Sequence, residues 1–263
     1  MDIKFARVGE GIAALVENLV GEEAARQGVS ARSCAEATRI VRGVALKRLS
    51  RIMEDTSDHY ILDTRTEDDF VRDALATSRV GRGDVLARVV AGCERRQRIP
   101  LSTFAEMSLC LDRFGDEWCA NPSLLYAQAT RLSVDARAIA LATVWSQSQF
   151  RRLPMPKWHS LFVSVGFMHD GARVNRPASM PTLYRAAIPG CERNWSWTDS
   201  RAVAEWFRER VPGSELYVLE GIDPDSALAR IDAIAENEWV VDVRASGATP
   251  VLVDHSDCAV RAI

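Results

Sequence analysis

The hydrophobic period of this chain changes once, at Pro154-Met155-Pro156. From about residue 10 to residue 153, apolar side chains recur at intervals of three and four, the spacing of one face of an α-helix. Ile12, Leu15, Val16, Leu19 and Val20 mark one helix, and Ala37, Ile40, Val41, Val44, Leu49 and Ile52 mark a second. Ser33 and Glu36 form a candidate capping box at the start of that second helix, and Thr103 and Glu106 another ahead of Met107, Leu109 and Leu111. Ser133 is placed to open a further helix, with Asp135 in the first turn where the helix dipole favours an acid. Its stretch AIALATVW (138–145) is apolar on nearly every side, the pattern of a helix enclosed by others.

Beyond the two prolines the apolar residues fall in short runs rich in β-branched and aromatic side chains. These are LFVSVGF (161–167), TLYRAA (182–187), ELYVLEG (215–221), EWVVDV (238–243) and PVLVD (250–254), separated by Gly, Pro, Asn and Asp. One helix interrupts them, SRAVAEWFRER, with Asp199 as its expected cap and Pro212-Gly213 as its stop. The expected fold class is α+β: a helical domain over 1–153 and a mostly β domain over 154–263, although helices before 154 could belong to the second body.

Composition narrows the function classes. Thirty-three Lys+Arg against 36 Asp+Glu give a net charge of -3, which argues against coating nucleic acid or anionic membrane by charge alone. No run approaches 18 apolar residues, so no membrane span is expected. Six cysteines without a CxxC suit reduced thiols and a cytoplasmic location. His255 and Cys258 have a metal-like gap but no second pair, so no metal site is expected. Gly9-Glu10-Gly11 with Ala14 follows a short stretch, Ile3 to Val8, that could be a strand; the next segment reads helical, so a dinucleotide-binding βαβ unit is not expected.

Three features could carry chemistry. Glu236 and Glu238 flank Asn237 at the mouth of a strand, where residues i and i+2 face one side, so two carboxylates would point together. Arg185 sits inside an apolar strand and needs a partner or an anionic ligand, such as a phosphate it can grip with parallel donors. Asn194-Trp195-Ser196-Trp197-Thr198 runs into a helix N-terminus, a corner suited to a flat ring and an anionic group. Taken singly, each has a plain structural explanation: a solvated strand edge, a surface cation, and a helix start beside core tryptophans.

In this order the three resemble the Arg–Ser–Glu class of mono-ADP-ribosyltransferases, over about residues 182–254. The resemblance implies an ADP-ribosyltransferase-like split β-sheet domain that takes NAD as substrate, releases nicotinamide and transfers ADP-ribose to a macromolecular acceptor. Arg185 would hold an NAD phosphate or the neighbouring ribose. Ser196 would lie beside the nicotinamide ribose and help to position Glu238. Glu238 would be the catalytic acid on the ribose 2′-hydroxyl, and Glu236 would face the acceptor, an arginine by analogy or a nucleic acid. Ala186 stands where the family often has the glycine whose backbone clasps the nicotinamide amide. Ser196-Trp197-Thr198 replaces the usual Ser-Thr-Ser, and Trp197 or Trp195 could stack on nicotinamide. The helical domain would select the target, shield the site or bind a neutralising partner, as in an intracellular bacterial toxin or defence effector. The rival readings are an NAD glycohydrolase and a helical interaction protein with an inactive transferase-like domain.

Overall fold

The computed structural model describes residues 2–57, 75–76, 83–111, 114, 116–148, 153–232 and 236–253. The chain forms two compact units: Met1–Leu101 with Asp232–Glu236, and Ser102–Ile231 with Asn237–Ile263.

The first unit contains helices α1 (Asp2–Gln27), α2 (Ala31–Ser57) and α3 (Gly83–Gln97). Ile12, Val16 and Val20 of α1, Ala37, Val41, Ala45 and Leu49 of α2, and Val85, Val89 and Val90 of α3 are buried at the spacing read from the sequence. Residues 3–8, a candidate strand, lie within α1. The start of α2 differs from expectation, because Ser30 supplies the cap and accepts from Ser33 N at 3.2 Å. Ser33 is therefore free to reach across to α3, where its hydroxyl donates to Glu94 at 2.7 Å. Two hydrogen bonds from Ser33 and Ser30 hold the Glu94 carboxyl below its ordinary range. Glu36, the other half of the expected box, instead accepts from Gln97 at 2.9 Å and pairs with Arg96 at 3.3 Å.

The second unit combines helices and one sheet. After α4 (Leu101–Leu111) come α5 (Pro122–Gln128), α6 (Val134–Gln147) and α7 (Met155–Val165). Ser133 caps α6 as expected, accepting from Ala136 N at 3.2 Å, and every residue from Ala138 to Trp145 is buried except Thr143, which is half-buried. Glu106 joins this cap instead of opening α4: it accepts from Ser133 N and Oγ at 2.6 and 2.7 Å. The two prolines open a helix. Pro154 is the N-cap of α7 and Pro156 lies in its first turn, where a missing N–H costs nothing. Residues 161–165 are thus helical, because Trp158, Leu161, Phe162 and Val165 lie on one buried helical face, a spacing that overrides the apparent β run.

The strands are β1 (Met168–His169), β2 (Ala172–Arg173), β3 (Leu183–Ala187), β4 (Ser196–Thr198), β5 (Glu215–Leu219), β6 (Ala227–Ile231), β7 (Glu238–Val241) and β8 (Val251–Leu252), with α8 (Arg201–Arg208) between β4 and β5. They form one eight-stranded sheet in the order β2-β1-β6-β7-β4-β3-β5-β8. Every neighbouring pair is antiparallel except β1 with β6. One face carries a core of Leu183, Ala187, Trp197, Tyr217, Leu219, Trp239 and Val241. The fold is therefore mixed α/β, helices first and a mostly antiparallel sheet after them. No helix among the described residues is long and apolar enough to cross a membrane. His255 and Cys258 lie outside the described residues.

Candidate active site

The three motif-bearing strands are consecutive neighbours, β7-β4-β3, although 53 positions separate Arg185 from Glu238 in sequence. Register pairs Tyr184 with Thr198 and Thr198 with Glu238, so these three residues share a face. Ser196, two residues along β4, shares it too. It lies diagonal to Glu238 on the adjacent strand, a Cα separation of about 7–8 Å.

Arg185 leaves the opposite face, flanked by Leu183 and Ala187, which belong to the tryptophan-rich core. Its guanidinium nevertheless returns to the junction between strands, where Nη1 donates to the backbone oxygen of Ser196. This contact lies where the ladder opens. β3 and β4 share a single register pair, whereas β3 pairs with β5 along its whole length, Ala186 with Leu216 included. Arg185 thus bridges two strands whose own pairing has lapsed. Its register partner Tyr217 is buried and hydrogen-bonded to Glu215 at 2.9 Å. Burial first, and then that bond, push the Tyr217 phenol up.

The hydroxyls and rings before α8 serve structure first. Thr198 Oγ1 accepts from Ser200 N at 3.1 Å, and Ser200 caps α8 by accepting from Val203 N at 3.4 Å. Asp199, the expected cap, turns to the sheet: it accepts from Trp239 Nε1 at 3.1 Å and lies 3.5 Å from Arg230. Trp197 is buried with its indole donating to Asn194 O at 2.8 Å. Trp195 is buried against Phe162 and His159. Both rings are packed within the protein, and Ser196 keeps partial exposure.

Glu238 is 2% exposed and accepts from Trp145 Nε1 of α6 at 3.0 Å. The expected pairing of Glu236 and Glu238 by strand alternation does not extend to Glu236. The strand begins at Glu238, and Asn237 takes a left-handed conformation with φ of 49°, which breaks the two-residue period. Glu236 is half-buried, in the segment grouped with the helical unit. The Asn237 side chain is fully buried, and neither amide atom has a hydrogen-bond partner among the described residues.

Trp145 is the site residue that sequence reasoning missed. It belongs to the helical run 138–145, whose apolar pattern announces burial, but no local pattern couples it to an acid 93 positions away. Comparison of the chain with protein-family models, curated proteins and solved structures finds no match in any of the three.

Proposed function

We propose that this chain cleaves the nicotinamide–ribose bond of NAD and transfers ADP-ribose to a macromolecular acceptor. The observation that carries the reading is the adjacency of the strands that bear Arg185, Ser196 and Glu238: Ser196 and Glu238 share one face, and the Arg185 guanidinium, from the other, reaches the Ser196 backbone where the β3–β4 ladder opens. The reading rests equally on the order of those motifs in the sequence.

As the glycosidic bond lengthens, its electrons leave with nicotinamide and positive charge grows on the ribose ring. The Glu238 carboxylate hydrogen-bonds the ribose 2′-hydroxyl and attracts that charge more strongly in the transition state than in the ground state. Ser196, on the same face one strand away, orders the ribose beside it. Arg185, whose guanidinium donates to the Ser196 carbonyl, is the group that would grip an NAD phosphate or the neighbouring ribose. The acceptor nucleophile attacks the vacated ribose carbon and gives up its proton to solvent. Arginine is the acceptor that the resemblance favours, and nucleic acid is the other acceptor class.

The test incubates the full chain and its Glu238→Ala variant with labelled NAD and a cell lysate. Nicotinamide release and label on protein and on RNA are followed separately. Label that depends on Glu238 supports a transferase and names the acceptor class. Release without label reassigns the chain as a glycohydrolase. An intact NAD pool in every fraction refutes the enzymatic reading.

A further inference from the structure

We infer that Trp145 is a positioning residue for Glu238, an inference that rests on the NAD-cleaving reading above. A carboxylate that is 2% exposed at the start of a central strand must find a donor inside the protein. Trp145 supplies one along a single direction, at 3.0 Å. The donor itself is held. The indole ring stands edge-on to Trp158 at 4.9 Å and 84°, and to Phe162 at 5.1 Å and 78°. Its helix is buried at Ala138, Leu141 and Val144 as well. Rotating the ring would break both edge contacts along with the hydrogen bond.

The chemical type of the donor fits the task. Indole N–H donates but bears no charge and accepts nothing. A lysine or arginine at this position would neutralise the carboxylate and so compete with the cation that develops on the ribose. An indole fixes the plane of the carboxylate through one oxygen while leaving its negative charge in place. Orientation fixed beforehand need not be acquired during the reaction. The positioning comes from α6, outside the span of sequence that carries the catalytic motif.

Trp158 provides an internal control. Its ring belongs to the same aromatic cluster, but its buried Nε1 has no hydrogen-bond partner among the described residues. Trp145→Phe and Trp158→Phe therefore make the same change of side chain in one cluster, and only the first removes a bond to Glu238. Both are made in the full chain, and nicotinamide release is measured against NAD concentration. Trp145→Phe is expected to lower kcat by about 10- to 100-fold with KM for NAD within about twofold of wild type. Trp158→Phe keeps an aromatic ring against Trp145 and is expected to lower kcat several-fold less than Trp145→Phe does. In a Glu238→Gln background, Trp145→Phe should change the residual rate no further. Equal kcat losses in the two Phe variants, or no loss in Trp145→Phe, overturn the inference while the NAD reading stands. A wild-type chain that releases no nicotinamide refutes the NAD reading itself, and this inference falls with it. If Trp145→Phe does not fold, the indole N–H resonance of Trp145 in wild type and Glu238→Ala carries the test. It should move on loss of the carboxylate, and an unmoved resonance overturns the inference.

Discussion

Gly171 is the position where a single added methyl group tells most about how the sheet unit is assembled. Asp170 and Gly171 form the two-residue loop of the β1–β2 hairpin, with φ of 53° and 84°. Positive values at both central positions are the signature of a turn whose twist matches the strands it joins. A Cβ built on Gly171 would lie 3.1 Å from the Cα of Ile139 and 3.6 Å from the Cβ of Ala142, both on α6. The first contact is with backbone in the most deeply buried run of the unit, so neither side can yield cheaply. Gly213, with φ of 74° and nothing within 4 Å of its added Cβ, isolates the conformational part of the same substitution.

The left-handed conformation costs an L-residue about 1–2 kcal/mol. Reduced freedom of the unfolded chain returns about 0.4–1 kcal/mol on replacing Gly by Ala. Gly213→Ala should therefore lose about 0–1.6 kcal/mol. Gly171→Ala should lose a further 1–3 kcal/mol or so, the cost of overpacking. Urea denaturation followed by tryptophan fluorescence measures the difference selectively, because all seven tryptophans belong to the sheet unit. Equal losses in the two variants would refute the close approach of the hairpin to α6.

Other consequences are open to direct measurement. Ser200→Ala should destabilise the sheet unit by about 1 kcal/mol through loss of the α8 cap, read from the same denaturation curves. The hydrogen bonds from Ser133, backbone first, hold the Glu106 carboxyl below its ordinary range. Because the folded value lies below the unfolded one, about 4.3, this contribution is present above that pH and is lost as pH falls through the folded value. Glu106→Gln should accordingly flatten the acid-side decline in stability seen in wild type. Glu238→Ala should lower nicotinamide release by about 10²–10³-fold, the usual cost of removing a preorganised electrostatic group. A fragment starting at residue 154 lacks α6 and should show no cooperative unfolding by circular dichroism.

The parts of the fold legible in the sequence were those set by local pattern. The three-and-four spacing of α1 and α2, the capped α6 with its apolar run 138–145, and strands β3, β5 and β7 all lie where side-chain periodicity placed them. Misreadings arose where two local signals competed. Residues 161–165 satisfy both alternation and helical spacing, and only the partners Trp145 and Trp195 decide for the helix. Ser33 and Glu36 have the right chemistry for a capping box, but Ser30 caps first and tertiary partners on α3 claim both side chains. The β1–β2 hairpin carries the turn signal Asp170-Gly171, yet its strands are two residues long and leave no alternation to detect. The candidate site divides in the same way. Arg185, Ser196 and Glu238 could be named from order and residue type, whereas their adjacency depends on the strand order.

The link between α6 and Glu238 explains a choice of residue that burial alone would leave arbitrary. A helix buried along most of 138–145 could close that run at position 145 with Leu or Phe and pack as well against Trp158 and Phe162. The strand below it, however, begins with an acid that is almost completely removed from water. Each donor such an acid loses weakens its compensation, at about 1–3 kcal/mol for an ordinary polar group left unsatisfied and more for a charge. Of the large apolar side chains, only Trp and Tyr carry a donor at the tip of an otherwise apolar body. Tyr presents a hydroxyl that also accepts, whereas the indole only donates. Selection for stability alone would be met equally by replacing the pair with hydrophobic residues, since a buried polar pair seldom exceeds a well-packed apolar one in stability. An acid at 238 beside a neutral donor at 145 is an arrangement that orients the carboxyl without setting an opposite charge against it through that contact.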